Sequence, residues 1–474
     1  MTTVLGSPNP FRWVQQYGSP VNLVNPKPML RNGDQLSLVA KSFGIDLQVY
    51  FARKANKCLA FVDVATQHGF GIDTASENEI RQSLRQEVPA GRMICTAAIK
   101  TDSLLRLCIE KQIVLAVDNH DELHAIVALA TQMQIPALIA LRLGGFQFDG
   151  ARLPTRFGFD IETIHPLIAD LRTMPVSLRG LHFHLDGYDA QQRIAALLQT
   201  LEIYHDAAAE HADLHFIDIG GGVPMCYLKD EHQWTQFWHV LRQSLTGQHP
   251  PITRNQSGFG LREHHGEILG RTNLYPFWQS VERRQWLRSI LNFDLNESAD
   301  RDNAAPDGNP SGAAEIGHSI GQHLADHKIQ LRCEPGRSLL DGCGMTMAAV
   351  EFCKYQRDGD LLVGLAMNST QCRTTHDDFL VDPIVLHAPD ATRRDTSGRH
   401  GYLVGAYCTE SEFISQRRFA FPHGIQRGDL VVFPNTAGYL MHFMESRSHQ
   451  FELAKNLVFD SPTRLDQIDA DPQP

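Results

Sequence analysis

Four short segments carry residue types that can do chemistry together. The first, YFARKAN (50–56), places Lys54 directly after an apolar run. A lysine amine held in a pocket can form an imine with an aldehyde, more readily when burial or nearby cations lower its pKa. The second, IDIGGGVP (217–224), has three consecutive glycines, Gly220, Gly221 and Gly222, after another apolar run. Glycine permits positive φ and close backbone approach, so such a loop can turn its N–H groups onto a phosphate. No Gly-Lys-Ser/Thr follows, which excludes a Walker A loop. The third, EPGR (334–337), offers Glu334 to a protonated ring nitrogen and the Arg337 fork to a phosphate or carboxylate. The fourth is LHFHL (181–185), where strand alternation puts His182 and His184 on one face and leaves His184 free to stack over a planar ring. A zinc pair there lacks a third ligand at characteristic spacing, so no metal is expected. Taken singly, a solvated lysine, a ligand-free turn and a local Glu334–Arg337 salt bridge all stay open. Taken together, the four favour a phosphorylated nitrogen heterocycle.

These residues need a frame that gathers them. Apolar or β-branched runs recur at 47–52, 70–73, 92–97, 113–117, 137–143, 178–185, 214–219 and 329–333. Stretches of helical periodicity separate most of them, for example 77–85, 103–110, 121–131 and 191–209. Alternating strands and helices imply parallel pairing, and eight such strands imply a closed (β/α)8 TIM barrel over 48–337; an open doubly wound sheet is the alternative. Lys54, Asp73, His184, the glycines and Glu334 all fall at the C-terminal ends of strands, the catalytic face of a barrel. The 111 residues between Gly222 and Glu334 exceed one helix and predict a long insertion within 235–320. Its aromatic segment, NLYPFW (273–278), reads equally as a lid, an interface patch or packing on the barrel. Its polar run at 297–313 predicts a mobile loop. From 338 to 474 shorter strands at 345–354, 361–366, 401–408 and 429–434 imply a mainly β domain, to which residues 1–47 contribute.

The whole chain excludes some partners. Its 474 residues carry 43 Lys plus Arg against 54 Asp plus Glu, a net charge of -11, which gives no support for nucleic acid or an anionic membrane. No secretory signal and no run of 18 apolar residues is seen, and nine scattered cysteines read as reduced thiols of a cytoplasmic protein.

The motifs jointly resemble the fold-type III pyridoxal-phosphate decarboxylases, the group containing diaminopimelate, ornithine and arginine decarboxylases, from about residue 50 to 451. The resemblance implies an alanine-racemase-like barrel with a β domain, pyridoxal 5'-phosphate as cofactor, and a homodimer with shared active sites. It implies that Lys54 holds the cofactor as a Schiff base, that His184 stacks on its ring and that Glu334 keeps the ring nitrogen protonated. Asp73 and Glu79 match the second-strand motif near the cofactor. Gly220, Gly221, Gly222 and Arg337 match the phosphate site, with Tyr439 of AGY (437–439) beside it. Cys408, in GAYC (405–408), matches the cysteine that reaches the partner's active site and returns a proton after CO2 leaves. Glu412 stands where the family has an aspartate. Arg373 matches the arginine of diaminopimelate decarboxylases rather than the acid of ornithine-type enzymes, implying a substrate with a distal carboxylate.

There are departures. Asp186-Gly187 replaces Gly-Ser, losing a serine phosphate contact, and Cys408-Thr409-Glu410 replaces Cys-Glu-Ser. The expected activity is therefore decarboxylation of an amino acid or conjugate. A racemase or epimerase on the same cofactor, and a non-catalytic cofactor-binding protein, are the alternatives.

Overall fold

A computed structural model describes residues 5–295, 318–374, 379–389, 398–460 and 462–470. The polar run expected to be mobile, 297–313, lies outside the described residues.

Eight parallel strands form a closed barrel in chain order: Leu47–Ala52, Gly71–Thr74, Met93–Cys95, Val114–Val117, Ala137–Gly144, Val176–Phe183, Phe216–Asp218 and Gln330–Cys333. The last closes on the first through Leu331–Leu47 and Cys333–Val49. Several strands are one to three residues shorter than their apolar runs. Hydrophobic continuity outlasts pairing where the chain turns into a loop.

Alternation sorts the inward positions into two layers. Tyr50 and Phe216 plug the lower barrel with Ile94, Ala116 and Ala140. Glycine makes the room: a Cβ on Gly71 would lie 2.4 Å from the Tyr50 ring, and one on Gly180 would lie 2.1 Å from Phe216. Arg332 caps the plug, its guanidinium 3.5 Å from the Phe216 centroid. Two residues further along, the same faces carry Asp73, His182, Asp218 and Glu334. The period of two therefore sets a polar layer directly above an apolar floor.

The helices outside bury their apolar faces on the strands. The described part of the N-terminal segment, 5–47, divides between the two sheets. Val21–Val24 pairs with Gly344–Tyr355 and Lys455–Val458 in the β domain. The helix Lys27–Ser42, longer than the amphipathic stretch suggests, instead packs Met29, Leu36 and Val39 into the barrel's core. Pro26 and Pro28 suit its first turn, where no N–H is missed.

The β domain is organised by Gly344–Tyr355. Its first half pairs with Leu430–Pro434, and beyond an irregularity at Val350–Phe352 it pairs with Leu361–Leu365. Arg399–Val404 follows in the same sheet. The strand expected over 401–408 stops at Val404. Gly405 presses on the buried Glu412 carboxylate and Ala406 donates to the Met367 carbonyl at 2.8 Å, so 405–408 turn away as a loop.

The insertion builds its own small core. The helix Glu231–Leu245 supplies Trp238 and Leu241, which meet Phe259, Tyr275 and Phe277. The aromatic segment is thus packed, with Phe277 2% exposed.

Candidate active site

Lys54 sits in a single 3-10 turn, Arg53–Ala55, at the end of the first strand. Its Nζ lies 3.3 Å from Asp73 Oδ2, and Thr96 Oγ1 donates to the other oxygen, Asp73 Oδ1, at 2.5 Å. Burial works against the lysine's charge, but Asp73, with Tyr439 and Glu334, outweighs it and holds the ammonium above its usual range. Burial in turn raises Asp73 to about 6, with Glu334 adding to it. Among the described residues, Asp73 is Lys54's one hydrogen-bond partner.

Facing this pair is a carboxylate without a hydrogen bond. Glu334 is 2% exposed, and neither of its oxygens has a partner among the described residues. Its nearest cation-capable neighbour is His182 Nε2 at 3.4 Å. Burial opposes its charge, yet His182 and Lys54 keep Glu334 down at about 2. His182 is itself pushed down by burial. At neutral pH the layer thus holds an ionised, buried, unsatisfied acceptor, which costs stability until a donor arrives. A protonated aromatic nitrogen is such a donor.

His184 is fixed as a neutral ring. Gly221 N donates to its Nδ1 at 3.0 Å, which leaves the proton on Nε2, and burial pushes its pKa well down. The glycine loop is built on close approach. Gly220 has φ 67° and Gly222 φ 73°, and a Cβ on Gly221 would lie 3.0 Å from both the Glu334 carbonyl and the His184 ring. The N–H groups of Gly220 and Gly221 are committed to Asp218 and His184, so Gly222 is the glycine whose N–H no described hydrogen bond uses.

The end near Arg337 is aromatic. Arg337 Nη1 donates to the Tyr227 hydroxyl at 3.0 Å, and its guanidinium lies 4.3 Å from the Tyr275 ring and 5.3 Å from that of Tyr439. Tyr188 packs edge-on against Tyr275 at 5.2 Å. Burial raises the hydroxyls of Tyr188, to about 12, and of Tyr227 and Tyr275, so all remain neutral donors. Tyr439 reaches this end because Gly336 has no side chain; a Cβ there would be 2.5 Å from its hydroxyl. A fixed cation, neutral hydroxyls and a Cβ-free loop fit a phosphate, as the orphaned Glu334 fits a pyridinium.

Sequence reasoning missed the supports. Arg193, 1% exposed, donates from Nη2 to the carbonyls of Leu185, Gly187 and Gly221, tying the His184 loop to the glycine loop. An arginine four residues before Leu197, on the same helix face, was its one signal. Thr96, Tyr188 and Tyr227 carried no motif, and Tyr275 stood out only as part of the aromatic segment 273–278.

Other expected residues lie apart from this cluster. Glu79 accepts from Ala75 N at 2.7 Å and its own N–H is capped by Ser76, so it serves the N-terminus of the helix Glu77–Arg85. Glu412 is 5% exposed, with one oxygen accepting from Ser369 N and the other from Ser369 Oγ. Arg373 donates from Nη2 to the Phe413 carbonyl at 3.1 Å, while its buried Nε has no partner among the described residues. Cys408 is exposed, and no described hydrogen bond or ion pair connects it with Lys54.

Comparison with known proteins agrees with this geometry. The sequence model of the family described as "Pyridoxal-dependent decarboxylase, pyridoxal binding domain" matches residues 33–256, which hold Lys54, Asp73, His184 and the glycine loop. The matched region is thus a pyridoxal-binding domain of the pyridoxal-dependent decarboxylase type, in a fold shared with solved diaminopimelate decarboxylases. The chain is 28% identical over 447 residues to protein y4yA of Sinorhizobium fredii, covering 93% of this chain and 87% of that one. It is 25% identical over 269 residues to 2-[(L-alanin-3-ylcarbamoyl)methyl]-2-hydroxybutanedioate decarboxylase of Staphylococcus aureus, covering 52% of this chain and 66% of that one. The solved diaminopimelate decarboxylase from M. jannaschii with L-lysine superposes with a TM-score of 0.68 at 16% identity, covering 98% of this chain and 94% of that one. The lysine/ornithine decarboxylase from Vibrio vulnificus with putrescine gives 0.63 at 16%, covering 96% and 99%. These two likenesses speak to the fold. The described helices include none long and apolar enough to cross a membrane.

Proposed function

We propose that this protein is a pyridoxal-phosphate-dependent carboxy-lyase acting on an amino acid, or an amino-acid conjugate, that bears a distal carboxylate. The observation that carries the reading is Glu334: a buried, ionised carboxylate without a hydrogen-bond partner among the described residues, in the polar layer near Lys54. When bound, the cofactor supplies the sink for the electron pair left behind by the departing carboxylate. The chain's own residues do the rest. Lys54 provides the amine that bonds the cofactor and is exchanged for the substrate's amine, with Asp73 holding its proton. Glu334 keeps a proton on the ring nitrogen, and neutral His184 covers one ring face. Arg337, Tyr439 and Gly222 hold the phosphate, and the hydroxyls of Tyr188 and Tyr227 stand in for the serine replaced by Gly187.

The exposed loop carrying Cys408 supports a head-to-tail homodimer in which the partner subunit's Cys408 returns a proton to Cα. Nine cysteines scattered without paired short spacing support a reducing compartment such as the cytoplasm. Arg373, with its unpaired Nε, supports binding of a distal carboxylate. So does the S. aureus relative, whose name describes a hydroxybutanedioate joined to an amino acid through an amide. Glu412 serves this site by fixing the 367–369 segment.

The test incubates holoprotein with acidic and basic amino acids and with amide-linked carboxylated conjugates, following CO2 and amine. CO2 release with matching amine from a substrate bearing a distal carboxylate is expected. Interconversion of enantiomers without CO2 would overturn the reading in favour of a racemase.

A further inference from the structure

On the barrel's outer surface, three histidines converge that the decarboxylase reading does not use. His205 lies on the helix Ala190–Ala208, His323 on the helix Ile320–Asp326, and His327 one turn beyond it. The four-residue spacing of His323 and His327 puts both rings on one face. Buried Ile320 and Leu324 seat that short helix on the barrel core, while Leu201 and Tyr204 seat the other, so the facing backbones are fixed by packing.

The geometry is compact. His205 Nε2 and His323 Nε2 are 2.7 Å apart, and each of the three rings offers a nitrogen within 4.8 Å of the other two. The ring centroids of His323 and His327 are 4.4 Å apart. No described carboxylate forms an ion pair with any of the three, so ordinary charge pairing does not account for the cluster. One shared proton satisfies the His205–His323 contact, but the His327 ring takes part in no described hydrogen bond. Three imidazoles with converging ring nitrogens are a ligand set for a borderline divalent transition ion, not for the oxygen-seeking magnesium or calcium.

We propose that His205, His323 and His327 form a zinc-class metal site that ties the returning end of the insertion to the barrel. At metal–nitrogen distances of about 2.0–2.1 Å, the 2.7 Å pair opens slightly as the ion replaces its shared proton. The fourth position faces a groove of about 860 Å³ that is also lined by Glu202, one turn before His205. Water, or the Glu202 carboxylate after a rotamer change, completes the tetrahedron.

The test strips holoprotein of metal with a chelator, verifies by absorbance that the cofactor is retained, and titrates ZnCl2 against a chromophoric zinc indicator. One zinc per chain is expected, and His323→Gln and His327→Gln should each weaken it by more than the about 10–100-fold that losing a supporting outer partner costs. His327 is exposed, so its variant leaves packing intact if His323→Gln unfolds. Zinc should raise Tm in the parent and not in the variants. X-ray absorption should show a nitrogen/oxygen shell near about 2.0–2.1 Å with imidazole scattering. The double change His264→Gln and His265→Gln, at an exposed histidine pair elsewhere, should leave binding unaltered. Substoichiometric zinc, unchanged affinity in His327→Gln, or a sulfur shell near about 2.3 Å would overturn the proposal.

Discussion

The barrel mouth and the β-domain loops offer the same residue types in different conditions. At the mouth, Glu334 is buried with both oxygens free of hydrogen bonds, and Lys54 is held by one acid. In the loops, Glu412 is nearly as buried, yet both its oxygens are taken by Ser369. The first carboxylate stores an unmet demand for a donor; the second has spent its capacity on local structure. Burial alone therefore does not mark a reactive acid, whereas burial with an empty coordination shell does.

The largest expected effect removes the mouth's amine. Lys54→Ala should lower kcat by about 10,000-fold, the upper end for a single proton-transferring group, and abolish the lysine-linked absorbance of the bound cofactor. Survival of that band would break the comparison at once. Glu334→Gln comes next, with kcat lower by about 100-fold, the scale of removing one preorganised electrostatic partner. Because it relieves an unsatisfied buried charge, it should leave the apoprotein at least as stable in urea. Glu412→Gln should do the reverse. Losing a charged acceptor from the two Ser369 bonds should cost about 1–3 kcal/mol in urea unfolding, with cofactor affinity unchanged. A raised KM at unaltered stability would instead place Glu412 in direct contact with substrate.

The smallest effect concerns pH. His442, at the seam between the domains, accepts from Lys57 N at Nδ1 and donates to Asn456 Oδ1 at 2.8 Å; burial holds its pKa well below 6.5. Its unfolded-state pKa is the higher one, so the unfolded chain binds the extra proton as pH falls below about 6.5. Stability then declines with falling pH, by at most about 1.4 kcal/mol per pH unit for this histidine. His442→Asn should flatten the profile between pH 7 and 5 in urea titrations. His184 at the mouth obeys the same sign.

Much of the barrel was legible because its two periods are local. Alternation along a strand decides which side chains point inward, and Lys54, Asp73, His184 and Glu334 then gather simply because parallel strands end on one face. Glu79 shows the limit. Its spacing from Ser76 is that of an N-cap and its third helical residue, a signal that the family motif hid.

The loops were not legible for the same physical reason in reverse. Cys408 was placed on a strand by its apolar run, but Gly405 against Glu412 and the long-range bond of Ala406 N to the Met367 carbonyl end that strand at Val404. Arg193 bonds three carbonyls from two loops, and Tyr188, Tyr227 and Tyr275 converge on Arg337 from segments 39 to 87 residues apart. Nothing periodic in sequence records such meetings. By itself the sequence determined the barrel, its catalytic face and the cofactor's chemical class. Tertiary structure alone decided which buried groups are left unpaired, because that depends on what every other element brings within 3 Å.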